Sequence, residues 1–198
     1  VASGSQKGYM IPPGLSFIAM SQKAWEAAEK SNLPKFYLNL KSYRKSLLSN
    51  SNPYTPAVNL VFALDEALKM MKEEGLDNIF QRHNRHKLAM SNAVKALNLK
   101  LFADEKYLSP SITAIKTEEM DAEELRKTIK SNFDILLAGG QDHLKGKIFR
   151  VGHLGYVNDR DIITVVSAIS NTLLDLGKIS AQQAGEALFV VSKYLEGN

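Results

Sequence analysis

Between Leu99 and Val151 the chain carries four short apolar runs, Leu99–Phe102, Ile112–Thr117, Ile135–Ala138 and Ile148–Val151, each too short for a stable helix. Helix punctuation lies between and after them. Asp121 with Glu124 reads as a capping box for a helix to about Asn132. Asp159 reads as the cap of a helix to Leu176 that Gly177 stops, and Ser180 with Gln183 as the cap of the last helix. Strands alternating with helices bury their apolar faces only in layers, so this pattern predicts an α/β architecture.

Upstream, Thr55 as N-cap and Pro56 at the first helical position predict a helix to Glu74 with Gly75 as its stop. Val58, Val61, Phe62, Leu64, Ala67, Leu68 and Met71 form its expected buried face. Asp77 then caps a helix to about Leu97, in which the run Arg82–Lys87 interrupts the apolar pattern and reads as a solvated face. His83 and His86, three apart there, could supply two metal ligands, with no third apparent. Nearer the start, Leu15–Met20 reads as a buried strand, Ser21 caps a helix through Lys30, and Phe36–Leu48 has roughly helical spacing. Ser49–Pro53 is a polar loop.

The bulk numbers narrow the function. Hydrophobic residues at 44% and charged ones at 23% of 198 residues match a soluble globular protein. A net charge of +4 calls for neither a nucleic-acid nor a membrane partner, and no apolar run approaches the roughly 20 residues of a span. The absence of cysteine removes disulfides, thiolate metal sites and cysteine nucleophiles from this stretch, and fits a reducing, cytoplasmic compartment.

Chemistry concentrates at Ser3-Gly4-Ser5-Gln6-Lys7-Gly8 and the Pro12-Pro13-Gly14 stop beyond it. Small residues let a backbone approach a ligand, Gln6 offers an amide to an anion, and Lys7 is a candidate nucleophile. A lysine attacks an aldehyde only when unprotonated, and its free pKa is about 10.4, so burial or a neighbouring cation would have to lower it. The plainer alternative is a solvated surface lysine. Arg150, before the flexible Gly152, offers a planar fork suited to a carboxylate; a strand-end arginine in a surface ion pair is its alternative. His153 could line the same site or serve the core.

Four segments, Gly4-Ser5-Gln6-Lys7, Thr55-Pro56-Ala57-Val58, Gly139-Gly140 and Arg150-Val151-Gly152-His153-Leu154-Gly155, resemble in order and spacing those of class V, pyridoxal-phosphate-dependent aminotransferases of the alanine–glyoxylate and serine–glyoxylate branch. The resemblance implies the C-terminal part of a fold type I transferase. Residues 1–78 would be the end of the cofactor-binding large domain and 79–198 the small C-terminal α/β domain. It implies a Schiff base between Lys7 and pyridoxal 5'-phosphate, phosphate contacts from Gln6 and Thr55, and substrate-carboxylate binding by Arg150. In the family the threonine reaches the neighbouring subunit's site, so a homodimer with a composite active site is implied. The ring-stacking aromatic and the aspartate at the pyridine nitrogen would belong to a missing N-terminal half. The implied reaction moves an amino group from alanine, serine or a similar amino acid to glyoxylate or pyruvate. Asn52 departs from the tyrosine that relatives often carry, and Tyr54 is left outside the set. A lyase on the same fold and a non-catalytic dimerisation or docking module remain as alternatives. Some relatives carry the name of a soluble hydrogenase subunit, but no cysteine in this stretch could hold its iron or nickel.

Overall fold

In the computed structural model, which describes residues 1–118 and 120–196, the chain divides into Val1–Glu73 and Glu74–Asn198. The first unit opens with β1 (Ala2–Gly4) paired antiparallel to β2 (Ser16–Ile18), Ser3 opposite Phe17. Helix α1 (Gln22–Lys30) comes next, with the Ser21 hydroxyl accepting from Ala24 N as its cap. Helix α2 (Leu40–Leu48) starts only after Asn39, whose side chain caps it, so Phe36–Leu38 lie outside the helix their spacing suggested. Helix α3 (Val58–Glu74) ends the unit.

Two burial expectations for this unit also fail. The strand at 15–20 is not buried: it pairs with β1 in a two-stranded sheet, and Ile18 stays exposed. Along α3 Ala67 alone among the described residues is buried, while Phe62 is 71% exposed and Val58, Val61 and Leu68 are also open to solvent. An amphipathic stripe records where a helix is apolar, and burial requires a partner to lie against it.

The second unit supplies its own core. Helix α4 (Leu76–Ala96) runs into β3 (Lys100–Leu101) and β4 (Ile112–Lys116), then α5 (Ala122–Phe133), β5 (Ala138–Gly139), β6 (Ile148–Gly152), α6 (Asp159–Asp175) and α7 (Ala181–Leu195). Gly75, with φ +83°, both stops α3 and precedes α4, taking the cap position expected of Asp77. Asn158, in a reciprocal box with Asp161, caps α6 where Asp159 was expected, whereas Ser180 and Gln183 cap α7 as their spacing indicates. Asp121 caps α5 by accepting from Glu123 N, without the reciprocal box expected with Glu124.

The sheet is wholly antiparallel in the order β3-β4-β6-β5. Strand alternation sends Ile115, Phe149 and Val151 into one core with Met90, Val94, Leu125, Ile129, Ile162, Ile169 and Leu173. The expected strand at 135–138 forms only at Ala138–Gly139, because the Leu137 carbonyl is taken by the Arg126 side chain, outside the ladder.

Glycines differ sharply in what they permit. A Cβ on Gly140 would sit 2.0 Å from the Leu144 carbonyl oxygen, a backbone atom with little room to yield, whereas one on Gly185 in α7 meets nothing within 4 Å. We expect Gly140→Ala to destabilise the chain by about 2 kcal/mol or more and Gly185→Ala to stabilise it by about 0.5–1 kcal/mol. Urea denaturation of both variants beside the parent checks the pair; equal midpoints would contradict this packing.

Candidate active site

Lys7 stands on a turn that one buried hydroxyl closes. Ser5 is 0% exposed; its Oγ donates to Pro12 O (2.7 Å) and accepts from Leu15 N (3.2 Å). Its backbone completes the closure, Ser5 N donating to Leu15 O and its own carbonyl accepting from Ile11 N. Inside this ring Met10 N donates to Lys7 O at 2.9 Å, which holds Met10 at φ +63°. That left-handed backbone costs a non-glycine residue about 1–2 kcal/mol, and the surrounding bonds hold it there. Tyr9 packs its ring 4.5 Å from Phe17 of β2. Gln6, Lys7 and Gly8 are left exposed at the apex. Ser5 therefore builds the turn, where the sequence suggested a small residue sitting under a ligand.

The same unit holds Thr55, but not as a helix cap. Helix α3 begins at Val58, and Val61 N reaches back to Ala57 O, so Thr55 lies two residues before the capping position. Val58 N instead bonds Pro56 O in a tight turn that delays the helix. The turn of Lys7 and the start of α3 nevertheless meet: Gly14 adopts φ +142°, and a Cβ there would lie 2.5 Å from Leu60 Cδ1. Tyr54 faces elsewhere, packing on Phe36, Tyr37 and Tyr43 and donating to Phe36 O.

In the second unit, the position of Arg150 is set by its neighbours. Phe149 and Val151 are buried, so alternation places Arg150 on the opposite face of β6, across from Ala114 and Ala138. Its Nε donates to Gly139 O at 2.9 Å. Gly139 and Gly140 thus shape the edge of the sheet beside Arg150.

Beyond β6 the chain is held by the run expected to be a solvated face. Arg82 donates to Glu74 through Nε (2.6 Å) and Nη2 (2.8 Å), and through Nη1 to Gly155 O (2.9 Å) and Val157 O (2.8 Å). His83 Nδ1 donates to Ile79 O, and its Nε2 accepts from Gly155 N. His86, 0% exposed, donates from Nε2 to Asp159 Oδ1 (2.7 Å), to which Arg85 Nη2 also donates (3.0 Å). His153, equally buried, donates from Nδ1 to Pro110 O and accepts from Thr113 Oγ1 at Nε2. His83 and His86 therefore have protein partners, and among the described residues no group of three or more metal-ligating side chains converges. His86 was legible in part: it precedes the buried Met90 by four residues, on the stripe that faces the core.

The charges settle accordingly. The bonds from Arg82 hold the Glu74 carboxyl below its usual range. Burial pushes His86 down despite the opposing pull of Asp159. Burial alone would raise Asp159, but His86 and Arg85 outweigh it and lower it. His153 is pushed by burial down to about 4.

Lys7 and Gln6 bear on the cofactor that the sequence resemblance implies. Lys7 offers its amine to an aldehyde from a braced turn, although in this unit it is exposed and lacks the burial expected of it, and the adjacent amide N–H groups suit a phosphate dianion. A Cβ on Gly4 would crowd Gln6 Oε1 at 2.9 Å, so glycine there admits the amide. The residues present fit pyridoxal phosphate.

No family model matches the chain. Over 177 residues it is 58% identical to the soluble hydrogenase 42 kDa subunit of Anabaena cylindrica, covering 89% of this chain and 46% of that protein. It is 34% identical to the serine–glyoxylate aminotransferase of Methylorubrum extorquens, covering 99% of this chain and 50% of the relative. The ureidoglycine–glyoxylate aminotransferase structure from Bacillus subtilis superposes with a TM-score of 0.88 at 28% identity, covering 99% of this chain and 51% of that one. The chain spans about half the length of the curated relatives it matches.

Neutral, buried His153 gives stability a pH dependence. Its folded pKa of about 4 lies below the ordinary value of 6.5, so between those values the unfolded chain binds the proton and the folded chain does not. Stability should fall as pH drops through this window, by about 3 kcal/mol in all, and level off for this group below it. His153→Gln should flatten that slope in urea unfolding measured from pH 7 to pH 4; an unchanged slope would assign the effect elsewhere.

Proposed function

We propose a function for a chain that belongs with the class V-like aminotransferases of fold type I and corresponds to their C-terminal half. It takes part in moving an amino group from a small amino acid such as alanine or serine to glyoxylate or pyruvate. The observation that carries this reading is the Lys7 turn, in which an exposed amine and an adjacent amide stand on backbone locked by Ser5. Pyridoxal phosphate, when bound, supplies the covalent attachment and the electron sink. Lys7 Nζ would tether it and, once released by the incoming substrate amine, would take the substrate's Cα proton as a base and deliver it to the cofactor side as an acid. Gln6 and Thr55 contact its phosphate, with Thr55 acting from the loop before α3 on the partner subunit's site in a homodimer. Arg150 commits Nε to Gly139 and presents its outer nitrogens to the substrate's α-carboxylate.

The apolar side chains that α3 leaves uncovered, Phe62 among them, support a larger enzyme with an N-terminal half and a second subunit. In that enzyme residues 1–78 complete the cofactor domain and 79–198 form the small domain, in the cytoplasm. The 58% identity to a hydrogenase subunit favours a second reading, in which the chain serves that complex without transamination. One experiment separates them.

Borohydride reduction of the full-length holoenzyme should place the pyridoxyl group on Lys7 alone, by peptide mass mapping. Arg150→Lys keeps the charge and loses the fork, so substrate affinity should fall about ten-fold or more while cofactor stays bound. A label on another lysine, or none, would sink the aminotransferase reading.

A further inference from the structure

The carbonyl that orients Arg150 sits on a short edge strand paired on one side only. Strand β5 is two residues, Ala138–Gly139, at the sheet edge beside β6, and it runs into Gly140. Its backbone is held to β6 by the pairing of Gly139 with Phe149 and by Gly140 N donating to Ile148 O, but the glycine pair has no side chains of its own to fix the Gly139 carbonyl from the other side. Helix α5 restrains it. Arg126 Nε donates to Leu137 O at 2.7 Å, fixing the residue before β5. Its Nη1 donates to both carboxylate oxygens of Glu123 at 2.8 Å, so the arginine is itself held. Both side chains press against the strand: a Cβ on Gly139 would meet Glu123 Oε1 at 2.4 Å and Arg126 Nη1 at 2.6 Å.

We propose that the Glu123–Arg126 ion pair is a positioning element for Arg150, fixing the Gly139 carbonyl so that it takes Nε and leaves the outer edge of the guanidinium to the substrate's α-carboxylate. The inference rests on the carboxylate role proposed for Arg150. Nε is the donor nearest the backbone of the side chain, and pinning it fixes the plane of the whole group. A planar fork meets a carboxylate with two bonds only when its plane is set, so loss of the ion pair weakens carboxylate recognition while Arg150 keeps its charge.

Propionate, a carboxylate without an amino group, is the probe. Its inhibition constant against the amino-acid substrate is measured on the full-length holoenzyme and on Arg126→Gln, Glu123→Gln and Arg150→Lys, together with cofactor bound per subunit and melting temperature. Glu123→Gln keeps the volume and the guanidinium, and serves if Arg126→Gln does not fold. The proposal expects the constant to rise about five-fold or more in Glu123→Gln and Arg126→Gln, and further in Arg150→Lys, with cofactor content unchanged. A lower melting temperature with an unchanged inhibition constant would make the pair merely structural and overturn the proposal. So would a rise accompanied by loss of cofactor. If Arg150→Lys itself leaves propionate binding unchanged, the carboxylate reading fails first and the positioning role with it.

Discussion

The alternation of β6 is the constraint on which the second unit depends. Phe149 and Val151 are locked in the core between α5 and α6 residues, so Arg150 between them has one available direction. A slip of one residue would bury a guanidinium and expose a phenylalanine, a change that the antiparallel pairing with β4 and the packing of Ile115 both oppose. Strong apolar packing thus fixes the direction of a polar side chain, and its bond to the Gly139 carbonyl has only to set the plane of the guanidinium.

The loop after β6 is held by different forces. From Gly155 to Asp159 the chain is anchored to α4 by guanidinium and imidazole groups acting on carbonyls, an amide and a carboxylate. Charge-assisted bonds of this kind are directional, so they specify the path of a loop with few apolar atoms to bury. The same logic recurs at the other end of the chain, where the Ser5 hydroxyl joins the two limbs of the Lys7 turn. In both places polar bonds hold segments too short to build a core, although Arg85 Nε and His86 Nδ1 in the first are buried without a hydrogen-bond partner.

Much of this was legible from local rules. The caps at Ser21, Asp121 and Ser180 stand where side-chain chemistry places them, and β4 and β6 begin at the residues their apolar runs indicate. The Lys7, Gly139-Gly140 and Arg150 segments were visible as motifs. The misses share one cause, which is that local pattern does not name the partner. Thr55 and Pro56 are good helix-start residues, yet the Pro56–Val58 turn delays α3. The α3 stripe is apolar, yet most of it stays open to solvent. Arg82–Lys87 is polar and reads as surface, until a loop more than seventy residues downstream brings the carbonyls and the carboxylate that desolvate it. Nothing near Glu123 or Arg126 in sequence points to Gly139.

The two glycines at the sheet edge carry different obligations through descent. At position 140 the obstacle is main chain, so every homologue that keeps this turn needs glycine whatever surrounds it. At position 139 the obstacle is the ends of two flexible side chains, Glu123 and Arg126, and the obligation is conditional. Both partners lie within 3 Å of a Cβ there, so space for a side chain at 139 opens only when both are shortened or turned aside. A side chain at 139 therefore calls for a change at 123 and 126 first, whereas one at 140 meets main chain whatever those positions hold.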